Sequence, residues 1–163
     1  MTIKTGDTLP DATFLVMGEE GPKRVLLSDK LEGRKVVIFG LPGAYTGTCS
    51  TAHVPSFMVT YDDFKAKGVD EIICVSVNDP FVMQAWGEST RAIETGITML
   101  ADAESKFTTA IGMNFSAPPV GFVERSKRYS MLVEDGVVTI LNEELSPGQC
   151  EISAGETLLE AMS

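Results

Sequence analysis

Two uninterrupted stretches, Val36 to Phe39 ended by Gly40 and Glu71 to Val77 ended by Asn78-Asp79-Pro80, constrain most strongly how this chain can fold. Their apolar residues do not alternate with polar ones, so both faces must be covered, which is the situation of a central parallel strand. Between them Phe57, Tyr61 and Phe64 recur at helical spacing, and the pattern stops at Gly68. The segment therefore predicts a βαβ unit. Pro55 lies inside its helical part and predicts a kink there.

The flanking sequence adds to this unit. Thr13 to Val16 and Arg24 to Leu27 read as two short strands around the turn Glu19-Glu20-Gly21-Pro22, with Ser28 placed to cap a brief helix through Leu31. Asp79-Pro80 opens a helix carrying Phe81, Met83, Ala85 and Trp86. Thr98 to Leu100 is a short strand, followed by a helix near Ser105 to Ala110. Tyr129 to Val133 and Val137 to Leu141 flank Glu134-Asp135-Gly136, where Asp-Gly signals a hairpin. The tail from Glu156 to Met162 is apolar on one helical face. The order β-α-β-α-β-β-α is that of an α/β, thioredoxin-like fold: a central mixed sheet flanked by helices, with an amino-terminal β extension. Residues 1–163 read as one domain without repeats or linkers.

Charge and cysteine usage narrow the function classes. A net charge of −10, from 23 acidic and 13 basic side chains, opposes association with nucleic acid or anionic lipid. No apolar run approaches the roughly 20 residues that span a bilayer, and Met1 to Asp7 has no apolar signal core, so the expected compartment is the cytoplasm. The 3 cysteines, Cys49, Cys74 and Cys150, are odd in number and widely spaced, which suits reactive or buried thiols better than a disulfide framework. With 1 histidine and no Cys-x-x-Cys pair there is little with which to build a zinc, haem or iron–sulfur site. The expectation is redox chemistry carried by sulfur, with no cofactor and no metal.

Cys49 is the best-placed nucleophile. It follows the Val36–Phe39 strand within Leu-Pro-Gly-Ala-Tyr-Thr-Gly-Thr-Cys-Ser, just before the helical stretch. A helix start offers unpaired N–H groups and the positive end of the dipole, both of which favour a thiolate. Pro42, Thr46 and Cys49 form the pattern Pro-x-x-x-Thr-x-x-Cys, with a hydroxyl one turn before the sulfur. This pattern resembles the peroxidatic loop of the peroxiredoxins. Ser76-Val77-Asn78-Asp79-Pro80-Phe81-Val82 and Arg125-Ser126-Lys127-Arg128-Tyr129-Ser130-Met131 resemble the other signature segments of the type II, atypical two-cysteine branch.

The resemblance implies a thiol peroxidase that reduces hydrogen peroxide and small alkyl hydroperoxides, recycled by thioredoxin or by glutathione and glutaredoxin. Thiol acidity alone does not make such an enzyme. Lowering a thiol pKa from about 8.5 to about 6 raises its neutral-pH thiolate fraction roughly 30-fold, but a Brønsted coefficient of about 0.4–0.5 returns some 10-fold of that in lost nucleophilicity. The remaining rate must come from stabilising charge that appears as the O–O bond breaks. A hydroxyl such as that of Thr46 can accept a hydrogen bond from the peroxide, and an arginine supplies fixed donors. Arg125, Lys127 and Arg128 are equal candidates on residue type. The resemblance selects Arg128.

The resemblance also implies a second thiol that condenses with the Cys49 sulfenic acid. Cys74 lies mid-strand in Ile72-Ile73-Cys74-Val75-Ser76, where a period of two sends it to a buried face with Ile72 and Ser76. Its place resembles the resolving cysteine of plant members. Cys150 follows the expected turn Ser146-Pro147-Gly148-Gln149 and resembles that of animal members. Direct reaction of glutathione or glutaredoxin with Cys49 is the third route. His53, one turn after Cys49, is expected to be structural; Met83 and Trp86 are expected to pack in the core or at a subunit interface. Tyr45, Gly47 and Ser56 stand where the family usually has Phe, Pro and Gly, departures that bear on the loop's rigidity and substrate preference. The helix from Asp79 presents Phe81, Val82, Ala85 and Trp86 as an apolar arc suited to a homodimer. A redox sensor or binding module on the same fold is the alternative class, distinguished by its failure to turn over.

Overall fold

The βαβ expectation is met at the centre of the molecule. The computed structural model describes residues 2–146 and 148–162; at Cys49 and Ser50 it describes the backbone alone. Strands β3 (Lys35–Leu41) and β4 (Glu71–Ser76) pair in parallel, with Phe39 opposite Cys74. β4 pairs in parallel with β5 (Thr98–Ala101). Antiparallel neighbours extend this trio on both sides. β1 (Thr13–Gly18) and β2 (Gly21–Leu26) add to the β5 edge; β8 (Tyr129–Glu134) and β9 (Val137–Glu143) add to the β3 edge. The full order is β2-β1-β5-β4-β3-β8-β9.

Alternation along the central strands divides the core into two layers. Val37, Phe39, Leu41, Ile72 and Cys74 face α2 (Val54–Val59), α3 (Tyr61–Ala66), α4 (Pro80–Ser89) and α7 (Gly155–Ala161) through Phe57, Phe64, Trp86 and Leu158. Val36, Ile38, Ile73 and Val75 face α1 (Leu27–Leu31) and α6 (Lys106–Ala110) through Leu31 and Phe107. The hairpin expected at Asp135-Gly136 has both residues in the left-handed region, φ 48° and 82°, as a two-residue type I′ turn requires.

Several expectations are revised. The single helix between β3 and β4 is three segments: a π-helical stretch Cys49–His53, then α2, then α3 beyond Thr60. Pro55 accounts for the first irregularity, because it can neither donate to the carbonyl four residues back nor fit against it; the chain widens into π turns just before it. Thr60 directs its hydroxyl to the Ser56 carbonyl (2.7 Å) where the second break falls. Ser28 is inside α1, whose cap is Leu26, and its hydroxyl donates to Asp11 (3.2 Å). A short helix α5 (Ala92–Thr95) and the hairpin of β6 (Asn114–Ala117) with β7 (Phe122–Ser126) were not legible in the sequence. Their strands are short, interrupted by Pro118-Pro119 and largely solvent-facing, so no apolar alternation marks them.

Gly40 shows how closely β3 and β8 approach. It lies opposite Tyr129, and a Cβ there would sit 2.3 Å from the buried tyrosine ring. Gly40→Ala is therefore expected to destabilise the fold by roughly 1–3 kcal/mol, in the manner of an overpacked core site. The denaturant midpoint measures this, and an unchanged midpoint would show that the ring moves aside without cost.

Candidate functional site

The parallel strands end at one edge of the sheet, and the functional segments gather there. The loop that begins with Pro42 leaves the carboxyl end of β3, where α/β sheets commonly place their ligand sites. Because β8 runs antiparallel to β3, its first residue, Tyr129, stands beside Gly40, and Arg128 stands just beyond it, next to the start of that loop. β9 is antiparallel to β8, so Glu143 lies opposite Tyr129; the Glu144 N–H donates to the Arg128 carbonyl (2.9 Å). Strand register alone thus brings residues near 42, 128 and 144 to one place.

The loop itself is pinned from β4. Asn78 accepts hydrogen bonds through Oδ1 from the Ala44 N–H (2.9 Å) and the Ser76 hydroxyl (2.5 Å), and Asp79 caps α4 by accepting from the Val82 N–H (2.9 Å). This gives the Ser76–Val82 segment a physical task that the sequence did not reveal. Pro42 is buried, and its carbonyl accepts from Arg125 Nη1 (3.1 Å). Thr46 donates its hydroxyl proton to the Gly43 carbonyl (2.7 Å), which leaves the oxygen's lone pairs to accept a bond from another group. Tyr45 is held at φ 64° with its side chain exposed and its ring 6.4 Å from that of Trp86.

Residues 47 and 48 begin the helix, and the Cys49 backbone opens its π-helical stretch, as the strand-to-helix reading required. The Cys49 side chain lies outside the described residues. One turn on, His53 is fully buried, with its ring against Phe39 and Phe57 at centroid distances of 5.0 and 5.6 Å. Arg128 donates from Nη1 to His53 Nδ1 (3.0 Å), while His53 Nε2 meets the Ser153 carbonyl (3.2 Å). A guanidinium can only donate and a carbonyl can only accept, so the imidazole is neutral with its proton on Nε2.

The three basic candidates are now separated. Lys127 points to Glu143 (3.6 Å) and is partly solvated; Arg125 holds the Pro42 carbonyl; Arg128, 2% exposed, reaches the helix that carries Cys49. The role of His53 as partner to Arg128 was missed in the sequence, where it reads only as a residue one turn from the cysteine. A lone imidazole signals nothing about a guanidinium 75 residues away.

The two remaining cysteines occupy contrasting places. Cys74 is fully buried in the layer with Phe39 and Trp86, on the face its strand period predicted. Cys150 is half-buried near Arg128, Ser153 and Glu144: burial pushes its thiol pKa up, against the pull of the Arg128 charge and a Ser153 hydrogen bond. Its segment touches the helix start, since the Thr48 hydroxyl donates to the Gly148 carbonyl (2.9 Å), and Gln149 N–H closes a turn on Ser146 (3.1 Å). Pro147 of the expected turn lies outside the described residues. On α4, Met83 and Trp86 pack inward, so the exposed part of the expected arc reduces to Phe81 and Ala85, with Val82 half-buried.

The fold agrees with the comparisons. The redoxin family model matches residues 4–159. Peroxiredoxin-2E-2 of Oryza sativa subsp. japonica, a chloroplastic protein, is 43% identical over 99% of this chain and 73% of its own length. Peroxiredoxin-2B of Arabidopsis thaliana is 40% identical over 98% of both chains. The crystal structure of reduced Prx3 from Vibrio vulnificus in complex with hydrogen peroxide superposes with a TM-score of 0.93 at 46% identity, covering 99% of this chain and 100% of that one. The chain is a peroxiredoxin of the type II kind within the redoxin family, and its activity is that of a thiol-dependent peroxidase.

Burial and the Arg128 charge both hold the His53 pKa well below its ordinary 6.5, against a smaller opposing pull from the Ser153 carbonyl. Below pH 6.5 the unfolded chain takes up a proton that the folded chain refuses, so stability falls with acid from that point down to the folded pKa. Glu144 and Glu71 are also depressed and add the same sign of effect only below about pH 4.5. Unfolding free energy measured between pH 7.5 and 5 should therefore decline below 6.5, with a limiting slope near 1.4 kcal/mol per pH unit. A flat profile would show His53 protonated in the fold.

Proposed function

We propose that Cys49 is the peroxidatic thiol, with Pro42, Thr46 and Arg128 completing its site. The observation that carries this reading is the convergence just described: strand register sets Arg128 beside the start of the Pro42 loop, and His53 ties that guanidinium one turn from Cys49. In the reaction the Cys49 thiolate attacks the nearer peroxide oxygen. The S–O bond forms as the O–O bond breaks, and the departing oxygen takes a proton to leave as water or alcohol. Thr46 accepts a hydrogen bond from the peroxide, and Arg128 stabilises charge on the departing oxygen. Fast mixing with hydrogen peroxide tests the assignment. Cys49→Ser should reduce the second-order rate by at least about three orders of magnitude, and an unchanged rate would overturn it.

The sulfenic acid is proposed to condense with Cys150. Cys74 would have to leave a packed core layer, whereas the 148–150 segment already bonds to Thr48 beside Cys49. Intact mass after one equivalent of peroxide separates the routes. An internal disulfide lost in Cys150→Ser but kept in Cys74→Ser supports Cys150; a stable sulfenic acid or glutathione adduct in the wild type assigns recycling to glutathione or glutaredoxin. Sustained turnover with thioredoxin or with glutathione and glutaredoxin, in a reducing compartment such as the cytoplasm, is the expected setting.

A homodimer built on the exposed Phe81 side of α4 is also proposed. Phe81 is 62% exposed on α4, and the ring of exposed Tyr45 stands 6.4 Å from that of Trp86 on the same helix, which favours a self-complementary surface next to the Cys49 loop. Sedimentation at micromolar concentration should give a dimer that Phe81→Asp converts to folded monomer. A wild-type monomer that persists on concentration would refute it.

A further inference from the structure

Glu144 lies immediately after β9 and is only 6% exposed. Its Oε2 accepts from the Ser153 N–H (2.6 Å), the Ser153 hydroxyl (2.7 Å) and the Glu151 N–H (2.8 Å). Those bonds anchor Ser153 by its N–H and hydroxyl, and the carbonyl of the same residue faces His53 Nε2 (3.2 Å). His53 in turn accepts from Arg128 through Nδ1, and the Arg128 carbonyl accepts from the Glu144 N–H. The four residues form a closed circuit, and all four are buried.

The circuit has a consequence for the guanidinium. A neutral imidazole alone has two tautomers, and only the Nε2–H form offers Nδ1 as an acceptor to Arg128. With the ring buried among Phe39 and Phe57, a proton on Nε2 needs an acceptor, and the acceptor is the carbonyl of Ser153, the residue that Glu144 anchors. Were Ser153 free to turn, the Nδ1–H form would compete, directing a donor at a donor and pushing Arg128 aside. We propose that Glu144 is a positioning residue for peroxide reduction: it acts through Ser153 to hold His53 as the Nε2–H tautomer, and that tautomer sets where Arg128 stands. The inference rests on the reading of Arg128 as the group that stabilises the departing oxygen.

The chain's single histidine makes the test direct. Nitrogen-15 NMR of the reduced wild-type protein at neutral pH should show one imidazole protonated at Nε2; an Nδ1–H or doubly protonated ring overturns the proposal whatever any variant does. Glu144→Gln keeps the shape but turns an amide NH2 or a less basic oxygen toward three donors. It should shift the histidine toward a tautomer mixture and lower the hydrogen peroxide rate about 10-fold, while alkylation of Cys49 by iodoacetamide changes less than 2-fold. Alkylation breaks no O–O bond, so it reports the thiolate without the demand on Arg128. Equal losses in both reactions, or an unchanged tautomer with an unchanged peroxide rate, would reduce Glu144 to a structural turn residue and overturn the proposal. Should Glu144→Gln fail to fold, Ser153→Ala, which removes one donor and keeps the carbonyl, is expected to give a smaller shift of the same kind; no selective loss of the peroxide rate there overturns it equally. Peroxide consumption by Cys49→Ser would instead defeat the site assignment and leave the tautomer result standing.

Discussion

Arg128 carries a charge that cannot be titrated away, at a place where it is 2% exposed. Removing a guanidinium from water costs several kcal/mol unless its donors are met and an opposite charge lies near. Much of the architecture around the Cys49 loop can be understood as meeting that demand. The His53 ring supplies an acceptor without a competing positive charge, and Glu144 supplies the negative charge from the far side of the same circuit. Both partners come from segments remote in sequence, so the helix after Cys49, the start of β8 and the carboxy-terminal segment are tied to one another through the arginine.

The sheet makes this arrangement inexpensive in conformational terms. Parallel β3 and β4 direct two loops to one edge, and Asn78 on the second loop holds Ala44 on the first. Antiparallel β8 and β9 return the chain to the same edge, so Arg128 and Glu144 are already neighbours by register before any side chain is placed. Helix α7 closes so tightly over α2 that a Cβ on Gly155 would sit 2.5 Å from the Ser56 carbonyl oxygen, and the Ser56 hydroxyl accepts from the Gly155 N–H (2.9 Å). Ser56 thereby ties the carboxy-terminal helix to the one that follows Cys49.

What was legible in the sequence followed periodicity and turn chemistry. The uninterrupted apolar runs of β3 and β4 announced a sheet covered on both faces, a period of two placed Cys74 on a buried face, and Asp135-Gly136 announced its hairpin. What was not legible lacked those signals. The β6–β7 hairpin that carries Arg125 is too short and too polar to stand out, and the break at Thr60 depends on a hydroxyl turning back to a carbonyl. Three adjacent basic side chains were indistinguishable as residues; their partners, Pro42, Glu143 and His53, differ because successive residues of an extended chain point in different directions.

The sequence by itself determined the succession of strands and helices, the cysteine at a strand-to-helix junction and the hydroxyl one turn before it, all short-range features governed by backbone geometry within a few residues. The resemblance of three short segments to peroxiredoxin signatures indicated the kind of protein. The tertiary structure alone decided that Arg128 meets the single histidine, why that histidine is neutral, and that a glutamate 95 residues beyond Cys49 in the chain belongs to the same circuit. Those outcomes depend on contacts between segments 75 to 100 residues apart, and such contacts are set by strand register and by the cost of burying charge, neither of which leaves a mark at any one place in the sequence.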